Sequence, residues 1–235
     1  MGRGGVDLSC PDPERCPVVP SLPALPGVAV AAGAAWYRCY QVELGYDECN
    51  PGAGSTRFAP FSDQGSGQPV PALYLAAREA GALLETVFHE VHHMAARRIF
   101  ERDLRHRALA YVLVPRELWL ADLRDPVLAA CGLQRDQVVS SPAEHYPCTR
   151  RLAQELHSRA IERQAVQGVL WHSRQAELLG GEAAEVCVVF GDRYGARRGS
   201  RTLTGPGARN LFEGPGRLLV DEIASDLDAV VVPGS

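Results

Sequence analysis

Apolar positions in this chain fall into short runs separated by turn residues, with one change of period between residues 70 and 93. Ala72-Leu73-Tyr74-Leu75-Ala76, bounded by Pro71, mixes branched and aromatic side chains and predicts a strand. Behind it, Ala80, Leu83, Leu84, Val87, Phe88 and Val91 recur at helical spacing and predict an amphipathic helix continuing to His93. Upstream, Trp36–Leu44 predicts a strand in which Arg38 stands among apolar and aromatic neighbours, and 45–69 predicts a loop rich in Gly, Pro, Asp and Ser. Downstream, Ala108–Val114 and Leu118–Leu123 predict strands, and Pro126–Leu133 a short apolar helix. The charged stretch 97–107 predicts a solvated helix end or turn. Thr149–Gln167 predicts an amphipathic helix on Leu152, Leu156, Ala160 and Ile161. Gly168–Trp171 predicts a strand running into His172-Ser173, and Val186–Phe190, Leu218–Ile223 and Ala229–Val232 predict three more.

Strands and helices do not alternate as βαβ units. The expected fold class is therefore α+β, with a mostly antiparallel sheet and packed helices. Proline at 11, 13, 17, 20, 23 and 26 marks residues 1–27 as an irregular arm, and 28–235 reads as a single domain carrying a Gly- and Arg-rich loop at 191–209.

Charge narrows the function classes. A formal net charge of −4 over 235 residues argues against a bulk nucleic-acid binder. An apolar fraction of 46% beside 22% charged residues is that of a soluble globular protein. All 24 basic side chains are Arg, so a phosphate site here must use guanidinium forks, backbone N–H groups or hydroxyls. The seven Cys include no CxxC pair, and the chain shows neither a leader-like run nor a membrane-length apolar segment. The reading is reduced thiols, no membrane association and a cytoplasmic protein.

Two chemistries compete in the central unit. His89-Glu90-Val91-His92-His93 satisfies the HExxH pattern, in which two histidines one helical turn apart bind zinc and the glutamate acts as base. A third ligand is then needed. The chain has Ala96 and Ile99 where an extended motif wants Gly and His, and Glu117 lies between two expected strands. Alternatively, Tyr74 and Glu85 are an aromatic platform and a catalytic carboxylate. On an ideal helix Glu85 falls on the flank of the apolar stripe, on the side of His89 and His92.

Several segments in order resemble the RES-domain family. Trp36-Tyr37-Arg38 resembles its opening strand with an Arg, and Thr56-Arg57-Phe58 its Gly-Arg-aromatic loop. Leu73-Tyr74-Leu75-Ala76 followed by Ala82-Leu83-Leu84-Glu85 resembles its strand and Glu-bearing helix. His145-Tyr146 through Thr149-Arg150-Arg151-Leu152-Ala153 resembles the next helix, and Gly168-Val169-Leu170-Trp171-His172-Ser173 the Gly-strand-Ser segment. The loop departs from the family in lacking Gly-Gly before the Arg and Trp after it.

The resemblance implies an ADP-ribosyltransferase-like fold and an NAD⁺-consuming toxin of a RES–Xre toxin–antitoxin pair. NAD⁺ is then the substrate, no metal is expected, and the partner is a helix-turn-helix (Xre-type) antitoxin. The enzyme would be a hydrolase or transferase, passing ADP-ribose to water, phosphate or a protein acceptor. Carried onto this chain, Glu85 would stabilise the oxocarbenium-like state and Tyr74 would hold the nicotinamide ring. Arg38 first, and Arg57 second, would clamp the pyrophosphate, and Ser173 would hydrogen-bond nicotinamide or ribose. A zinc metallohydrolase built on His89, Glu90 and His93, and a non-catalytic binding module of the same fold, are the alternatives.

Overall fold

The protein is described from a computed structural model covering residues 22–91, 94, 96–177, 179–180, 184–195 and 205–234. Eight strands form its main sheet: β1 Gly27–Val30, β2 Ala35–Gln41, β3 Ala72–Ala76, β4 Arg107–Leu113, β5 Leu118–Asp122, β6 Gly168–His172, β7 Glu185–Phe190 and β8 Arg209–Asn210. Their order across the sheet is β1-β5-β6-β7-β3-β2-β4-β8. Every neighbouring pair is antiparallel except β5 and β6. Three helices matter most: α1 Glu79–Leu84, α2 Tyr146–Ser158 and α3 Gly214–Asp226. This is the expected α+β architecture with a mostly antiparallel sheet.

Strand geometry sends alternate side chains to opposite faces. Ala72 and Ala76 of β3, Val169 and Trp171 of β6, and Val186, Val188 and Phe190 of β7 meet Ala82, Leu83 and Leu84 of α1 and Leu152, Ala153 and Leu156 of α2 in one core. Leu73, Leu75, Leu170, Cys187 and Val189 point the other way, into a second core with Trp36, Val112 and Tyr194. Burial on both faces explains why β3, β6 and β7 read as continuous apolar runs.

Four elements depart from the periodicity. Helix α1 stops at Leu84, and 85–90 are turns. Thr86 turns its hydroxyl back to the carbonyl of Ala82 (2.7 Å), and the N–H of Phe88 reaches Leu83 O (3.1 Å). Phe88 and Val91 still enter the core, which is why their spacing imitated a helix. Helix α2 begins at Tyr146 and ends at Ser158. A small hairpin, Ala160–Ile161 with Gln164–Ala165, follows across Glu162 (φ 52°) and Arg163 (φ 68°). Such a turn usually carries Asn or Gly, so nothing in the residues signals it. Leu218–Ile223 is helical within α3 rather than a strand, because Val220, Ile223 and Ala224 bury one helical stripe. In the charged 97–107 stretch, Arg98–Phe100 pairs in parallel with Val230–Val232.

The proline-bearing arm is described only from Leu22, and Leu22 and Leu25 are buried. Of the 191–209 loop, Gly191–Tyr194 is a helical turn and Arg209 belongs to β8, while Arg197, Arg198 and Arg201 lie outside the described residues. Cys39, Cys49, Cys131, Cys148 and Cys187 are free thiols. Among the described residues no helix is long and apolar enough to cross a membrane.

Gly168 opens β6 in the middle of the sheet, and a Cβ there would lie 2.2 Å from the carbonyl oxygen of Val188 and 3.0 Å from Leu120. Backbone on the neighbouring strand cannot move aside cheaply. Gly168→Ala is expected to cost about 2 kcal/mol or more, as overpacking of a core does, read as a lower urea midpoint. An unchanged midpoint would contradict this strand register.

Candidate active site

The site is assembled where β6 leaves the sheet and α1 ends. Ser173, the residue after β6, is fully buried and donates its hydroxyl to Glu85 Oε1 at 2.5 Å. Ser173 Oγ in turn accepts the N–H of Ala176 (3.3 Å), so the rotation of the hydroxyl is fixed. Glu85 is the residue at which α1 ends, and it lines a cleft of about 310 Å³. That volume lies at the lower end of the range for small-molecule sites. The cleft is also lined by Arg57, His89, Glu90, the segment Val139–Glu144, Tyr146 and Arg174.

Arg57 comes from the loop between β2 and β3, which is tied down at several points. Phe58 is fully buried and packs edge-on against Trp171 of β6, ring centres 5.0 Å apart. The Tyr74 hydroxyl bonds Thr56 Oγ1 (2.7 Å) and accepts the Phe58 N–H (3.2 Å). Thr149 of α2 donates to the carbonyl of Arg57 itself. The guanidinium donates to Ser141 O (2.8 Å) and Ser141 Oγ (2.7 Å) and lies over the Tyr146 ring, 5.1 Å from its centre. Burial lowers the Arg57 pKa, while Tyr146 and Glu85 favour its charge.

Glu85, Arg57 and Ser173 are thus brought together. Tyr74 is close, but it is not in the cleft. It lines a small cavity of about 20 Å³ with Tyr37, Trp171 and Glu85, so Glu85 stands between the two spaces. Burial pushes the Tyr74 phenol up to about 12. Its hydrogen bonds position the Arg57 loop, and the aromatic ring facing the cleft is that of Tyr146.

Arg38 is elsewhere. It shares a face of β2 with Trp36 and Tyr40, opposite to Tyr37 and Cys39, which pack on the α1 side. Its buried guanidinium donates to the carbonyls of Gly45 (3.0 Å) and Tyr46 (2.8 Å) and fixes that turn. Of the two arginines, Arg57 lines the cleft and Arg38 does not.

The HExxH geometry also needs correction. Helix α1 has ended before His89, so the helical turn that would set His89 and His93 on one face is missing at its start. His89 bonds Glu90 Oε1 through Nδ1 (2.6 Å) and the Tyr146 hydroxyl through Nε2 (3.2 Å). Glu117 occupies the turn between β4 and β5, and His92 and His93 lie outside the described residues. Among the described residues no group of three or more His, Cys, Asp or Glu is arranged to hold a metal.

Sequence reasoning did not single out Ser141, Tyr146 or Arg174. Tyr146 stands inside the segment likened to the family's next helix, without a role assigned to it, and Arg174 directly follows Ser173. Ser141 carried no signal, because only the folded loop brings it to Arg57.

A family model described as RES domain matches residues 35–199. No curated protein matches the chain. A chain in the crystal structure of the M. tuberculosis MbcT–MbcA toxin–antitoxin complex aligns with 77% of this chain and 86% of its own length, at 19% identity and a TM-score of 0.46.

The role of the Tyr74 hydroxyl can be measured. Tyr74→Phe keeps the ring and orphans the Phe58 N–H, and is expected to cost about 1–3 kcal/mol at neutral pH. A phenol whose folded pKa is raised contributes stability that is complete below its unfolded pKa of about 10. That contribution is lost as pH rises through about 12. The stability gap between wild type and Tyr74→Phe should therefore narrow over this alkaline window in urea titrations. A gap that widens there would rule out the buried, hydrogen-bonded phenol.

Proposed function

This chain belongs to the RES domain family, and from that membership we propose that it is an NAD⁺-consuming toxin that breaks the nicotinamide–ribose bond. The observation that carries the reading is the Ser173–Glu85 hydrogen bond at the edge of a cleft that also holds Arg57.

Cleavage of an N-glycosidic bond to ribose passes through an oxocarbenium-like state, as other glycoside cleavages do. A fixed carboxylate facing C1′ stabilises positive charge that develops only in the transition state, and this is the larger part of what a protein can supply. Ser173 does not line the cleft. By donating to one oxygen of Glu85 it leaves the other for the ribose, so its role in this reading is to position Glu85 rather than to hold nicotinamide. The pyrophosphate falls to Arg57, whose planar fork suits phosphate oxygens. Arg174, exposed at the cleft rim, is a second cation for it. Tyr146 offers the ring that was first sought in Tyr74. No step of this scheme calls on a metal.

Water, phosphate or a protein side chain would complete the reaction as acceptor. The partner in this reading is a helix-turn-helix antitoxin of the Xre type that covers the cleft, which rests on the family alone.

Nicotinamide release from NAD⁺ by chelator-treated protein is the test. Wild type is expected to release it, Glu85→Gln to do so about 10²–10³-fold more slowly, and Arg57→Ala to raise KM. Undiminished release by a folded Glu85→Gln would overturn the assignment.

A further inference from the structure

The cleft also holds a hydrogen-bonded set of polar groups whose protons the bond-breaking step does not use. Glu90, His89 and Tyr146 form an unbroken hydrogen-bonded chain along its wall, Glu90 Oε1 to His89 Nδ1 at 2.6 Å and His89 Nε2 to Tyr146 Oη at 3.2 Å. The protons in this chain are determined by chemistry. An ionised carboxylate only accepts, so Nδ1 carries the imidazole proton and Nε2 is left to accept from the tyrosine hydroxyl. The tyrosine oxygen then has lone pairs left over. Tyr146 is held in place by the Arg57 guanidinium over its ring, so the oxygen is fixed relative to the group assigned to the pyrophosphate. This is the arrangement of nucleophile-activating sites, where a base is oriented by a third group.

We propose that Tyr146, backed by His89 and Glu90, removes the proton from an O–H acceptor, water in the first place, as it attacks C1′ of the ribose. This deepens the NAD⁺ reading above and rests on it. In the step, the C1′–N bond breaks and its electron pair leaves on nicotinamide. A C1′–O bond forms to water. The water proton passes to Tyr146 Oη as the tyrosine proton passes to His89 Nε2. The imidazolium is held by Glu90 and releases its proton to solvent, so the products are ADP-ribose, nicotinamide and one proton. Burial keeps the Tyr146 phenol protonated at neutral pH, as a relay through its hydroxyl requires. Phosphate as acceptor would bypass the chain, because its dianion attacks through an oxygen that carries no proton. In this role Tyr146 is catalytic, and His89 and Glu90 act through it.

Azide separates this role from a structural one, because it is a nucleophile with no proton to lose. In phosphate-free buffer, Tyr146→Phe and His89→Gln are expected to lower nicotinamide release by about a hundredfold or more. Azide should restore release in both, with formation of ADP-ribosyl azide, while Glu85→Gln stays as slow with azide as without it. Tyr146→Phe keeps the ring beneath Arg57, and Glu90→Gln serves as the third variant if His89→Gln fails to fold. Full activity in water for Tyr146→Phe, no rescue by azide, or wild-type turnover that needs phosphate would each overturn the relay and leave the Glu85 reading intact. No nicotinamide release by wild type with water, phosphate or azide would overturn both.

Discussion

The contact on which the cleft depends is buried in the sheet: Phe58 against Trp171, with the Tyr74 hydroxyl beside them. A phenol at this depth must find partners or cost free energy. Its partners are on the loop that carries Arg57, so the loop cannot lift away without orphaning Tyr74 and exposing Phe58. Thr149 secures the same loop from helix α2. An irregular segment thereby acquires the rigidity of the strands under it. The guanidinium it presents is consequently fixed over Tyr146 and within hydrogen-bonding distance of Ser141.

A comparable tie holds the opposite side of the site. Arg124 forks onto Asp122 at the end of β5 (2.9 and 2.6 Å) and reaches Glu185 at the start of β7 (2.7 Å). Burial works against the charge of Asp122, but the Arg124 fork keeps its pKa below the ordinary value. Strand β6 lies between these two ends and runs straight into Ser173. Bidentate pairs of this kind carry geometry as well as energy. The hydroxyl that orients Glu85 is therefore delivered from a stretch of sheet clamped on both flanks.

The two faces of the sheet divide the arginines. Arg38 and Arg57 resembled each other in sequence as cations set beside aromatic residues. Strand alternation sends Arg38 to the Trp36–Tyr40 face, where backbone carbonyls replace its water. Arg57, on a loop, escapes that alternation and reaches the cleft. One cation maintains a turn, and the other is available to an anion.

The sequence alone determined the strands buried on both faces, because the buried positions of β3, β6 and β7 are apolar on both sides, and such runs stand out between turn residues. Resemblance to the family also singled out Glu85 and Ser173 from the sequence, though not the hydrogen bond between them. It could not show where α1 stops, because Phe88 and Val91 enter the core from turns at a spacing that imitates a helix. Nor could it distinguish helix from strand at 218–223, where a short apolar run suits either, or foresee a hairpin turning through Glu162 and Arg163. Only the tertiary structure decided which arginine faces the cleft, that Tyr74 is a strut and Tyr146 the ring lining the cleft, and that His89 pairs with Tyr146. Those outcomes depend on hydrogen bonds between residues as far apart as Arg57 and Ser141 or His89 and Tyr146, and periodicity along a chain carries no information about such partners.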